Sequence, residues 1–172
     1  MPTPDRIQIR PIEPADVPAL LEIIADTRGE YGIAGKGVPL LEPADHELYA
    51  HYQRQRTLYF VALLGGQVVG GAGVAPLAGG DALTCELQRM YLSRDARGRG
   101  IGDALLTRCL AAAKQFLYVR CYLETVTQMH AALEFYGRHG FRNLQAPVGH
   151  TGHEHNDRWM MRPLRASAGT YA

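Results

Sequence analysis

The stretch Arg97-Gly98-Arg99-Gly100-Ile101-Gly102 constrains this chain more than any other. Three glycines alternate with larger residues, after a run that alternates like a strand and before one with helical spacing. Glycine lets backbone N–H groups approach a ligand closely and adopts left-handed conformations without a Cβ penalty. The start of the following helix adds unpaired N–H groups and the positive end of its dipole. Successive N–H groups of this kind form an anion-binding concavity. Arg94, Arg97 and Arg99 reinforce the positive field, with Asp95 the one nearby acid in the sequence before the helix. A pyrophosphate is the natural guest.

Two common pyrophosphate loops are excluded. A P-loop has the form GxxxxGK(S/T), and the only lysines are Lys36 and Lys114, both remote from this stretch. A dinucleotide fingerprint GxGxxG begun at Gly98 requires glycine where Asp103 stands. The loop also follows several strands instead of opening the chain.

Around it the elements read in a definite order. Ile7, Ile9 and Ile12 mark a first strand, and Asp16 is the expected N-cap of a helix through Val17, Leu20, Leu21 and Ile24. Residues 27–45, rich in Gly and Pro, read as a loop around a weak helix, with a second helix over His46–Arg56. Tyr59–Leu64, the turn Gly65-Gly66 and Gln67–Ala75 form a hairpin, and Gly79-Gly80-Asp81 leads to a third strand, Leu83–Leu92. Asp103–Phe116 carries Leu105, Leu106, Cys109, Leu110 and Ala113 at helical spacing, and Tyr118–Thr125 alternates as a strand. That succession predicts a parallel crossover. Met129–His139 is a short helix stopped by Gly140, and Phe141–Leu144 with Arg158–Leu164 closes the sheet. Residues 1–165 form one domain, and 166–172 read as a frayed tail.

Arg97–Gly102 matches the (Q/R)xxGxG/A loop of the Gcn5-related N-acetyltransferases, the GNAT family, and the order of elements is similar to theirs across nearly the whole chain. A second match is Ala131-Ala132-Leu133-Glu134-Phe135-Tyr136-Gly137-Arg138-His139-Gly140-Phe141, which resembles the family's AAxxxYxxxGF segment. The resemblance implies an α/β (α+β) acyl-CoA N-acyltransferase fold: a mixed twisted sheet, splayed parallel central strands and flanking helices. It implies acetyl-CoA as acyl donor, its pyrophosphate on Arg97, Gly98, Arg99, Gly100, Ile101, Gly102 and Asp103. Its pantetheine arm would pair with the backbone of Met90, Tyr91 and Leu92, where the family commonly carries a β-bulge. One departure stands out: where many members have an asparagine seven residues before the tyrosine, this chain has Met129. Thr127 or Gln128 is the candidate replacement for its hydrogen bond.

Acetyl transfer to an amine needs a deprotonated amine, a polarised thioester carbonyl and a proton for the leaving thiolate. By the resemblance, Glu86 is the general base and Tyr136 the general acid. Strand alternation puts Glu86 and Met90, four residues apart, on one face. The competing reading of Glu86 is a salt-bridge partner for Arg89, and of Tyr136 a core ring beside Phe135 and Ala132. Cys85, Cys109 and Cys121 fall at core positions and read as small buried hydrophobes. His150, His153 and His155 have metal-like density, with Glu154 or Asp157 as a fourth ligand, but ordering a loop or lining the acceptor pocket fits them better. No metal is expected. His46-Glu47 fails as HExxH because the second histidine falls at His51, one residue late.

The acceptor is expected to be a primary amine of a small molecule or peptide, attacking directly in a ternary complex. Asp26, Glu30, Tyr31, Asp45, Glu47 and Tyr49 are candidates to hold it as a cation. The alternative is a non-catalytic acyl-CoA-binding or regulatory module on the same fold. Eighteen basic against 17 acidic residues, a net charge of +1, disfavour nucleic acid and acidic membranes as partners. Three separated cysteines make no disulfide framework, and no run reaches the ~18 apolar residues of a membrane span. A cytoplasmic location is expected, and a homodimer is compatible with this reading.

Overall fold

In the computed structural model, residues 6–33 and 39–164 are described. Seven strands form one mixed sheet: β1 (Ile7–Pro11), β2 (Leu58–Leu64), β3 (Gln67–Pro76), β4 (Thr84–Leu92), β5 (Arg120–Thr125), β6 (Arg142–Asn143) and β7 (Arg158–Pro163). Their order is β1-β2-β3-β4-β5-β7-β6. Four helices flank it: α1 (Val17–Glu30), α2 (Leu48–His51), α3 (Ile101–Gln115) and α4 (His130–Arg138). This is the expected mixed sheet with flanking helices. The tail 166–172 lies outside the described residues.

Period-two alternation along β2 shows how the layers are built. Phe60 and Ala62 join the core under α3, with Leu105, Leu106 and Cys109. Tyr59, Val61 and Leu63 join a second core with Leu20 of α1 and Leu48 of α2. Both sheet faces are therefore covered, which explains a nearly continuous apolar strand.

β4 and β5 run parallel, but they pair only at Thr84–Arg120, Cys85–Cys121 and Glu86–Tyr122. Beyond Glu86 they part, leaving the β5-side edge of β4 without a strand partner. On its other edge, β4 pairs with β3 through a bulge: Gly71 faces Tyr91 and Gly73 faces Gln88, and Arg89 has φ +47°. An extra residue in one strand reverses the alternation beyond it. Leu87 and Met90 consequently share the α3-side core, while Glu86 points the other way. The expectation that Glu86 and Met90 share a face is overturned by this bulge.

Several boundaries differ from the sequence reading. Asp16 is the N-cap residue of α1, as expected, but its side chain makes no capping hydrogen bond to that helix; it ends a 3₁₀ turn over Pro14–Asp16, accepts the Glu13 N–H at 2.7 Å and pairs with Arg10 at 2.8 Å. The helix expected over His46–Arg56 is reduced to the single turn of α2, preceded by a 3₁₀ turn over Pro43–Glu47. Gly140 does terminate α4. Its φ is +87°, Phe141 N–H reaches back to Tyr136 O at 3.1 Å, and Gly140 N–H to Gly137 O at 3.2 Å. That is a Schellman motif, completed by the contact between the Tyr136 and Phe141 rings, 5.8 Å apart.

Candidate active site

The splayed strands open two cavities that meet at Tyr91 and Met129, the residues lining both. The larger, about 290 Å³, is walled by Met90, Tyr91, Leu92, Arg97, Gly98, Gly100, Gly102, Asp103, Phe135 and Tyr136 among others. Eight of the ten residues expected at the donor site are thus brought together on one wall. The side chain of Ile101 is instead buried in the α3 core, and Arg99 is exposed on the loop.

Gly98 and Gly100 have φ of +72° and +78°, and a Cβ built on either would meet no atom within 4 Å. Left-handed backbone beside open space is what a loop needs to present N–H groups to a bulky anion. Gly100 is also the N-cap residue of α3, so the helix begins where the loop ends. A pyrophosphate fits here on geometry.

The charge of the loop is not as expected. Glu30, at the end of α1, takes Arg97 in a two-pronged ion pair at 2.8 and 2.9 Å and Arg94 at 3.3 Å. Arg97 also donates to the Leu92 carbonyl, tying the loop to the end of β4. Asp95 is therefore not the sole acid at hand. Asp103 meets His139 at 2.7 Å.

Tyr136 lies on the larger cavity with its ring held between Phe135 and Phe141. Burial is the main force raising its pKa, so the phenol keeps its proton at neutral pH. Its hydroxyl makes no hydrogen bond among the described residues.

The smaller cavity, about 110 Å³, is lined by Glu86, Arg28, Arg89, Glu124, His153 and His155 together with the shared Tyr91 and Met129. Glu86 is 6% exposed. Burial pushes its pKa up to about 7, opposed by the hydrogen bond from Gln88 Nε2 at 3.0 Å and aided by the charge of Glu124. Gln88 is held in turn by the Tyr52 hydroxyl, 2.8 Å away, and by His51 at 3.1 Å. Glu86 forms no ion pair with Arg89. That guanidinium goes to Asp45, at 2.9 Å, as does Arg28 at 2.6 Å. Burial would raise the Asp45 carboxyl, but the Glu42 N–H and the two arginines outweigh it and leave it below the usual carboxylate range.

This ion triad also fixes the bulge. Arg89 is anchored by Asp45 through its side chain, and its carbonyl accepts the Tyr59 hydroxyl at 2.8 Å. Tyr59 lies across β3, where a Cβ at Gly71 or Gly73 would collide with its ring. Glycine at both positions is the condition for that ring to reach the bulge.

Of the residues proposed to hold a cationic acceptor, Glu30 and Asp45 are committed to arginines. Glu124, not singled out in the sequence, lines the smaller cavity instead. It accepts from Tyr122 at 2.7 Å, Thr151 at 2.7 Å and Asn156 at 3.2 Å, and so holds the loop before β7 against β5. That loop brings His153 to Glu42, at 3.3 Å. Asp157 bonds Thr127 through N–H and hydroxyl, so Thr127 does not replace the missing asparagine. The Met129 sulfur receives a contact from Thr125 Oγ1 at 3.6 Å and occupies the neck between the cavities. Among the described residues, no group of three His, Cys, Asp or Glu side chains could hold a metal ion. Cys85, Cys109 and Cys121 are all buried, and the latter two are pushed well above the ordinary thiol range.

A model of the acetyltransferase (GNAT) family matches residues 20–141, from α1 through the loop to the end of α4. The chain belongs to the GNAT acetyltransferase family. It is 37% identical over 150 residues, 87% of this chain and 90% of the relative, to an Escherichia coli K12 protein described as the uncharacterized N-acetyltransferase YjgM. Its fold is similar to a GNAT acetyltransferase of Staphylococcus aureus Mu50, with TM-score 0.82 and 22% identity over 93% of this chain and all of that one. It is also similar to the PaiA N-acetyltransferase of Thermoplasma acidophilum, solved in complex with coenzyme A. That match has TM-score 0.70 and 18% identity over 92% of this chain and 99% of that one. Among the described residues, no helix is long and apolar enough to cross a membrane.

Proposed function

We propose that this GNAT protein is an acetyl-CoA-dependent N-acetyltransferase that acts on a primary amine by direct attack in a ternary complex. The observation that carries this reading is the pair of cavities meeting at Tyr91 and Met129, with Glu86 on one and Tyr136 on the other. Two substrates entering from opposite sides would bring their reacting atoms to that neck, which is the positional advantage a ternary mechanism needs.

The residues divide the work as follows. The loop around Gly98, Gly100 and Gly102, at the start of α3, holds the donor's pyrophosphate. The free edge of β4 at Met90, Tyr91 and Leu92 binds its pantetheine arm. Acetyl-CoA supplies an acyl group activated as a thioester. Glu86, with a pKa of about 7, takes a proton from the acceptor ammonium near neutral pH, directly or through water. The amine nitrogen forms its bond to the acyl carbon as the carbon–sulfur bond breaks. Tyr136 donates its hydroxyl proton to the departing sulfur, and the second proton, shed by the nitrogen as the amide forms, restores the phenol; the raised pKa keeps the hydroxyl proton in place until the transfer.

The test is thiol release from acetyl-CoA across a panel of amines, with the acetylated product confirmed by mass. Acceptor-dependent release with an acidic pH limb near 7 is the expected result. Binding of coenzyme A without release for any amine would instead favour the non-catalytic acyl-CoA-binding module.

A further inference from the structure

The smaller cavity has a charge imbalance. Arg28 and Arg89 both line it, with side chains 11% and 12% exposed, and both close on the fully buried carboxylate of Asp45. Asp45 also accepts the Glu42 N–H, and Arg28 spends further donors on the Leu40 carbonyl and the Tyr91 hydroxyl. Two guanidiniums against one carboxylate leave a positive charge on a largely desolvated wall. An excess buried charge is costly unless something of opposite sign meets it.

The other side of the cavity is carboxylic. Glu86 and Glu124 come from the two parting strands, and Glu124 has its oxygens engaged by Tyr122, Thr151 and Asn156. Glu42 is paired with His153. None of these acids ion-pairs with Arg28 or Arg89 among the described residues. A dicationic acceptor would set its second charge against the arginines. An amine that also carries a carboxylate would satisfy both walls, since guanidinium matches carboxylate geometry especially well.

We infer that the acceptor is a small amino acid in its zwitterionic form, its carboxylate bound by Arg28 and Arg89 and its amine facing Glu86. This rests on the acetyltransferase reading above. Arg28 and Arg89 are then acceptor-binding residues, and the buried triad with Asp45 is the frame that aims them.

The experiment compares substrates on the unmodified protein. Glycine, serine, methionine, phenylalanine and lysine are each assayed against the amine lacking the carboxylate. The amino acid should be favoured by about 10–100-fold in kcat/KM, the range for a charge-assisted bond made by one member only. Arg28→Gln removes the excess charge and leaves Arg89 paired with Asp45, so the fold should survive. In that variant the preference should collapse through KM, while stabilisation by coenzyme A is retained. Equal or better use of the decarboxylated amines, or an undiminished preference in Arg28→Gln, would overturn the inference and leave the acetyltransferase reading intact. Coenzyme A binding with no acetylation of any panel member would sink both.

Discussion

Replacing Glu86 by glutamine should make the protein more stable above neutrality, although the residue is buried and hydrogen-bonded. The folded-state pKa is raised from 4.5 to about 7 because burial penalises the charged form. At pH 4 the group is protonated in both folded and unfolded chains and contributes no difference. Between about 4.5 and 7 the unfolded chain ionises while the folded one does not, and stability falls as pH rises. Above 7 the full cost is present, about 3 kcal/mol for a displacement of this size. Glutamine is neutral throughout, and its carbonyl can still accept the Gln88 N–H now given to Glu86. Urea denaturation of the two proteins at pH 5 and pH 8 isolates this group, since other titrations cancel in the difference. The variant should gain about 2.5 kcal/mol over the parent between those values, a midpoint shift of about 1.2 M for a slope near ~2 kcal/mol/M. A Glu86→Gln protein less stable than the parent at pH 8 would refute the reasoning, because it would mean that Glu86 is ionised and stabilised by a cationic partner.

Tyr136→Phe keeps the ring between Phe135 and Phe141, so Tm should hardly move, while single-turnover acetylation slows by ~10²–10⁴-fold; a parental rate would remove the hydroxyl from the chemistry. Gly100→Glu puts a negative side chain in the phosphate cradle at a residue with φ +78°, and should abolish the thermal shift given by coenzyme A; an unchanged shift would place the phosphates elsewhere. Leu117 follows α3 at φ +66° and the residue is 77% exposed, so Leu117→Gly should relieve strain without losing packing. Differential scanning calorimetry should show a Tm gain of about 1–4 °C, from roughly 0.5–1 kcal/mol.

What could be read in the chain beforehand was what backbone conformation demands of residue type. Gly98, Gly100 and Gly140 all carry positive φ, and each was recognisable because few other residues tolerate it. Two-sided burial of β2 was legible in its apolar composition. The bulge was not, because Arg89 is an unfavoured residue for φ +47° and nothing adjacent announces it. Its cause lies in Tyr59, Gly71, Gly73 and Asp45, distant in sequence, and the parity of every β4 residue beyond it followed. The arginine partners of Glu30 and Asp45 are hidden from the sequence for the same reason. An acidic residue in a loop looks available to a ligand until folding brings arginines from 67 and 44 residues away. Nothing in the local sequence marks Glu124 for a role in the site. Its value comes from strands that diverge just before it, and divergence leaves no mark on local alternation.

The two ends of one short interval in α1 have a consequence for exchanging parts between relatives. Arg28 reaches the smaller cavity, and two residues later Glu30 grips the arginines of the glycine loop. A helix transplanted to change which amine is accepted would therefore also loosen or reset the donor loop unless Glu30 travels with it. Under the function proposed above, acceptor choice and donor affinity would be inherited on a single rod of backbone, and selection on either one would tug the other.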